Sequence, residues 1–466
     1  MSDGQRDELA PLSLTQEQLW FLTRLDPASA FYNTTATWSL TGPLDTGALH
    51  TALARTMDRQ HMLRTAITES DGVPHQRVVD GVPVPLEVSD LTGLPQEERR
   101  SAADRLVHEE VHTPFDLHTA PLFRVRLIRT AADEHVMVFV MHHIVADGWS
   151  LQVLVQEVAD LYAAAVTGAE VELDPLPRQF ADYAVQQRER LAGPRREKLV
   201  SYWSERLAGA PAVLELPADR PRPAEASFRG DRYTFTVPQE THRELTALGR
   251  SAGASPFMTC LAAFAVLLSR WSGQSDVLLG TPVGNRDRAE WTSVVGYFAD
   301  TLVMRTELAD DPSFRELLAR VRRSSLDAFV HRDLPFRALV EELKPERAPQ
   351  RNPLFQVMFI LQNIPPRRRK VEFAGLTMAL REDVRTTSIF DLRLDLFQSE
   401  SGLRGQLEYN TDLFDRTTVE QLAGRYLALL ADACAAPDTA VSALSLGAPP
   451  PADDFGAGFN DDLEEA

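Results

Sequence analysis

Strand-like and helix-like stretches alternate along this chain, which restricts it to an α/β or α+β architecture whose helices cover sheet faces. The sharpest case is His135-Val136-Met137-Val138-Phe139-Val140-Met141, nearly all apolar, as expected of a strand buried on both faces. Residues 122–128 before it alternate in period two. After it, Leu151, Leu154, Val155, Val158, Leu161 and Tyr162 recur at helical spacing, with Ser150 placed to cap that helix. Upstream, Asp45 precedes a helical face of Ala48, Leu49, Ala52, Leu53 and Met57, and the pattern predicts another helix over about residues 96–111. The second half continues the alternation, with a helix capped by Ser255 and opened by Pro256, a strand over 276–280 and a helix over 313–330. Strands over 354–361, 392–397 and 403–409 and a helix over 417–433 follow, with no residue-level internal repeat.

At 466 residues the chain exceeds the roughly 250 to 300 at which a single core stops growing, so two lobes are expected. Proline-containing residues 173–178 put the division there, giving lobes 1–176 and 177–448. The tail, 449–466, is rich in Pro, Gly, Asp and Glu and is expected to be disordered. In it Phe459 and Leu463 stand at i, i+4 and would share a face if the acidic segment docked as a helix on a basic partner.

The formal charge of −19 repels phosphate at long range, so neither nucleic acid nor an anionic membrane is an expected partner. No apolar run approaches the roughly 18 residues of a membrane span, and the first residues carry no apolar export segment. Cys260 and Cys434 form no CxxC pair or metal-like cluster, which suits a reducing, cytoplasmic setting.

The chemistry concentrates in His142-His143-Ile144-Val145-Ala146-Asp147-Gly148, at the end of the buried strand. Adjacent strand residues point to opposite faces, so one histidine can address a reacting atom while the other serves the structure. That geometry also disfavours a metal held by the pair. Asp147 is expected to orient or fix the loop rather than to partner His143, and Gly148 is either a simple turn requirement or a place where backbone approaches a substrate.

These residues keep company with others. Residues 12–22 and 59–65 resemble the first two motifs of the condensation domains of nonribosomal peptide synthetases; residues 141–150 match the third, and 180–184, 295–301, 331–336 and 351–355 resemble the rest, in order. The resemblance runs from about residue 12 to 446, and the first motifs are most similar to the subtype condensing two L-configured residues. Arg332 and Arg337 stand where the family often has Gln and Glu, and Ala299-Asp300 where Val-Asn is usual.

What the resemblance implies is a pair of chloramphenicol acetyltransferase-like lobes in a V, with a tunnel between them and catalytic His143 midway. Peptidyl or acyl carrier proteins would deliver substrates on phosphopantetheine arms, with no cofactor bound directly to this chain, a monomer. His142 and an Arg64–Asp147 ion pair would support the loop, and the Gly148 N–H could face a developing oxyanion. Trp149 would pack in the core or touch substrate, the Ser388 hydroxyl would face the acceptor side of the tunnel, and residues 284–286 would form the loop crossing between lobes. Neither a carrier attachment site nor an adenylation segment is present, so a free-standing or excised domain is expected. The product is an amide or an ester. A non-catalytic docking module and a coenzyme A-dependent acyltransferase are the competing readings, and an acyl-carrier donor compared with acyl-CoA separates them.

Overall fold

Trp38 and Phe139 meet edge to face, ring centroids 5.6 Å apart, as diagonal neighbours on adjacent antiparallel strands. They belong to a six-stranded sheet with spatial order Lys370–Phe373, Leu376–Leu380, Asn33–Thr41, Glu134–His142, Phe123–Arg129, Leu86–Asp90. Glu134–His142 lies centrally, antiparallel to both neighbours, and Val136 to Met141 are all buried. Helices Thr46–Arg59, capped by Asp45, and Gly148–Thr167 lie side by side in the same body. Burying Leu127, Val138 and Val140 completely contributes about 1.5 to 3 kcal/mol per side chain. A charge at Val140 would break this core.

The structure, a computed structural model, describes residues 9–225, 227–345, 350–362, 370–381, 387–399 and 402–447. The tail from 449, with Phe459 and Leu463, lies outside the described residues. The chain forms two compact units. The first comprises the described residues up to 198, with 283–300 and the described part of 367–384; the second holds the remainder.

The division therefore falls at residue 198 rather than near 176, and the first unit recruits two later segments. Side chains of helix Phe180–Arg190 explain the shift. Phe180 packs edge to face on Phe298 at 4.9 Å, Gln187 accepts the Leu14 N–H at 2.9 Å, and Arg188 donates to the Leu12 carbonyl at 2.7 Å. The prolines mark a break in secondary structure, not in the core.

The second unit, taken by itself, holds another open six-stranded sheet, in the order Asp300–Glu307, Asp276–Val283, Val357–Gln362, Leu392–Ser399, Gly402–Asn410, Gly230–Val237. Val357–Gln362 runs parallel to Leu392–Ser399, which turns back antiparallel into Gly402–Asn410. Helix Pro256–Ser272 opens with a Ser255–Met258 capping box and Pro256 in its first turn, as its sequence predicts. Leu354 adopts a left-handed φ of +70°, next to Phe355, whose ring meets Phe336 at 5.4 Å and Phe390 at 5.8 Å. Leu354 and Phe355 thus have a packing role.

Both cysteines are free thiols. Among the described residues no single helix is long and apolar enough to cross a membrane, and no cluster of three or more His, Cys, Asp or Glu could hold a metal ion.

Candidate active site

The central strand ends at His142, and the two histidines part as adjacent strand residues must. His142 is buried, its ring between Tyr32 and Phe115. Its Nδ1 accepts the Ile144 N–H at 3.1 Å, so Nε2 carries the hydrogen and faces the Thr23 hydroxyl at 3.4 Å. Burial, then the neighbouring His143, pushes its pKa down to about 3, so the ring is neutral and structural.

His143 is half-buried, and its backbone N–H donates to the Tyr32 carbonyl at 2.8 Å. Its Nδ1 lies 2.8 Å from the Ala146 carbonyl oxygen. A carbonyl only accepts, so Nδ1 bears the hydrogen and Nε2 is the basic nitrogen of the neutral ring. The Tyr297 ring stands against the imidazole at 4.8 Å, tilted by 62°. A backbone carbonyl thus does the orienting that a carboxylate does in a serine-protease triad.

Asp147 is the N-cap of helix Gly148–Thr167, taking the place expected for Ser150. Its Oδ1 accepts the Ser150 N–H at 2.8 Å and Arg286 Nη2 at 3.1 Å, and its Oδ2 accepts the Phe298 N–H at 3.1 Å. Arg286 also donates to the Trp291 and Val294 carbonyls, each at 2.6 Å, and stacks on the Phe298 ring at 3.9 Å. Both side chains are about 95% buried, at 5% and 4% exposure. So satisfied a carboxylate is a support, not a base.

The expected Arg64–Asp147 pair does not form. Arg64 donates from Nη1 to Asp80 at 2.7 Å, because its own carbonyl accepts the Val79 N–H at 2.8 Å and the side chain follows that neighbouring loop. Arg286, on the segment read from sequence as a crossing loop, is the true partner, 139 residues away with no spacing to reveal it.

Gly148 opens the helix on the surface. Its φ is not left-handed, and a Cβ built there meets nothing within 4 Å among the described residues. The turn requirement therefore falls away, and open space in front of a helix N-terminus remains. Gly296 is the opposite case: a Cβ there would lie 2.1 Å from the Phe180 ring. Trp149 is neither core nor loose, for at 36% exposure its Nε1 donates to the Thr292 carbonyl at 2.8 Å.

Ser388, in the second unit, is fully buried and donates its hydroxyl to the Phe390 carbonyl at 2.8 Å, so it turns inward rather than toward a substrate. Sequence reasoning missed Gln16. Its amide receives the Ser13 N–H in a capping box, which the Ser-x-x-Gln spacing shows, and donates to the Ile144 carbonyl at 2.9 Å, which no spacing shows.

A strand-end imidazole with its ring oriented, at a loop fixed to an open helix N-terminus, is an arrangement that suits acyl transfer. The Condensation domain family model matches residues 6–450, and the chain belongs to that family. A linear gramicidin synthase from Brevibacillus parabrevis is 41% identical over 95% of this chain, which spans 6% of that protein. Phosphinothricin tripeptide synthetase PhsC of Streptomyces viridochromogenes is 42% identical over 92% of this chain, here 39% of the relative's length. Among solved structures, the X-domain from teicoplanin biosynthesis superposes with a TM-score of 0.84 at 29% identity, covering 95% of this chain and 99% of that one. SgcC5 from Streptomyces globisporus gives 0.74 at 30% identity, covering 92% and 100%. The mixed α/β, chloramphenicol acetyltransferase-like fold read from the sequence agrees with these structures, and neither main sheet closes into a barrel.

Proposed function

We propose that this chain is a condensation enzyme of nonribosomal peptide synthesis that joins a carrier-bound acyl or aminoacyl thioester to an amine, or to a hydroxyl nucleophile. The observation that carries the reading is the 2.8 Å contact of His143 Nδ1 with the Ala146 carbonyl, which takes up the Nδ1 hydrogen and makes Nε2 the nitrogen that accepts a proton. The nucleophile attacks the thioester carbonyl, the carbon–sulfur bond breaks, and the nucleophile's proton passes by way of Nε2 to the departing thiolate. The Gly148 N–H, at the open start of the helix, stabilises the oxyanion between these events.

An α-amino group has a pKa of about 7.7 to 8.0, so a usable fraction is neutral near pH 7 and positioning supplies much of the rate. A hydroxyl leans harder on His143. Peptidyl or acyl carrier domains are the proposed partners, and a reducing, cytoplasmic setting suits the two free thiols.

Incubation with a loaded carrier, with the matching acyl-CoA or with no donor, followed by intact-protein mass spectrometry of the carriers, tests this. Transfer from the carrier alone is expected. Transfer from acyl-CoA would make it a CoA-dependent acyltransferase, and no transfer from either donor would leave a docking module.

A further inference from the structure

Residues 291–298 have almost no regular structure, yet their backbone is held by side chains. Arg286 takes the Trp291 and Val294 carbonyls, Trp149 the Thr292 carbonyl, Ser150 the Gly296 N–H at 3.0 Å and Asp147 the Phe298 N–H. All of these but Arg286 lie in or beside the first turn of helix Gly148–Thr167. Asn285 Nδ2, off that helix, also donates to the Phe298 carbonyl at 3.1 Å, and Gln60 makes a further attachment. Its Nε2 donates to the Ser293 carbonyl at 2.9 Å and its Oε1 accepts the Val295 N–H at 2.9 Å. The same Nε2 also donates to Glu157 at 3.0 Å, on the third turn of that helix. Gln60 has no exposed surface.

Gln60 ties residues 293 and 295 to a point further along the same helix, in addition to the attachments that Arg286 and Asn285 make to residues 291, 294 and 298. Resting on the proposed function, we infer that Gln60 is a positioning residue for condensation. By fixing Ser293 and Val295 against the body of the helix, it sets the Tyr297 ring against the His143 imidazole, 4.8 Å away. Its own partner Glu157 is held in turn by Arg59 Nε at 2.9 Å, while Glu157 Oε2 is buried without a partner. The charged groups facing this carboxylate are Arg59 and, on its own helix, Asp160.

The test uses the full chain and a donor–acceptor carrier pair that it turns over. Gln60→Leu keeps the side chain's bulk and removes its hydrogen bonds, so kcat should fall about 10- to 100-fold while KM for the loaded donor carrier shifts by less than about twofold. Gln60→Glu sets two carboxylates face to face, so its deficit should deepen as pH rises and ease as pH falls. Gln60→Glu combined with Glu157→Gln remakes the amide–carboxylate pair but still leaves the Ser293 carbonyl without its donor, so it should lose the pH dependence of Gln60→Glu while kcat stays below wild type. Circular dichroism of each variant gives the folded fraction.

Wild-type kcat in Gln60→Leu, a deficit that merely tracks the folded fraction, or wild-type kcat in the exchange variant would overturn the inference. His143→Ala is run alongside. Activity retained there would sink the proposed function, whereas an inactive His143→Ala beside a fully active Gln60→Leu would sink the role of Gln60 alone.

Discussion

Asp147 and Arg286 form a buried ion pair, 3.1 Å between Nη2 and Oδ1, across 139 residues of chain. The pair fixes the start of the helix that follows His143 and also anchors residues 291–298, so one guanidinium joins the loop to the segment bearing Tyr297.

Arg286→Ala strands a carboxylate in a water-poor site and should cost about 3 to 5 kcal/mol in urea-induced unfolding. Combined with Asp147→Ala, the losses should be strongly non-additive. Additive losses would mean that the two do not depend on each other.

Arg64→Ala, by contrast, removes a partner from Asp80, whose side chain is 68% exposed, and should cost no more than about 1 kcal/mol. Its effect should add simply to that of Asp147→Ala. Strong coupling between Arg64 and Asp147 in the same unfolding assay would restore the pairing that the structure replaces.

His143→Ala should lower kcat by about 10² to 10⁴ with an unchanged circular-dichroism spectrum. His142→Ala should leave the Ile144 N–H without its acceptor and cost about 1 to 3 kcal/mol, with the surviving folded fraction still active. A stable but inactive His142 variant beside an active His143 variant would reverse the two roles.

His142 also makes stability pH-dependent. Its folded pKa of about 3 lies below the ordinary 6.5, so as pH falls the unfolded chain takes up a proton first. This contribution is fully present above about pH 6.5 and is lost toward pH 3, at on the order of 1 kcal/mol per pH unit. His142→Asn keeps an acceptor for Ile144 and removes the titration, so its unfolding free energy should be less steep between pH 6.5 and 4. Equal slopes would show that His142 is not protonated on unfolding.

Gly148→Ala and Gly296→Ala should fail differently. At Gly148 the added methyl meets no atom of the described residues within 4 Å, so thermal stability should hold while kcat/KM falls about tenfold as the methyl enters substrate space. At Gly296 it strikes the Phe180 ring and should cost about 1 to 3 kcal/mol or more. Full activity in Gly148→Ala would show that no substrate approaches there.

Much of this was legible in residue order. The apolar run before His142 foretold the central strand, and Asp45, Ser255 and Ser313 marked helix starts where they occur. The split between His142 and His143 followed from strand geometry alone. What escaped were relations fixed by tertiary contact. Nothing local marks Arg286 rather than Arg64 as the partner of Asp147, and nothing about Gln60 announces that both ends of its amide are used. Ser150 looked like the cap because both it and Asp147 suit that position, and only the hydrogen bond from its own N–H to Asp147 decides between them.

Strand Leu376–Leu380 pairs with Asn33–Thr41 in the first unit's sheet, which has a consequence for the order in which this chain matures. On the ribosome, some 340 residues separate the synthesis of these two strands, from Thr41 to Leu380. Until then, the edge of Asn33–Thr41 stands open as a template for another chain, and Asp147 waits for Arg286 as well. A nascent chain stalled at residue 198 is therefore sticky by design of its connectivity, and the same fragment expressed alone should aggregate through that strand unless a peptide covering residues 370–380 is supplied.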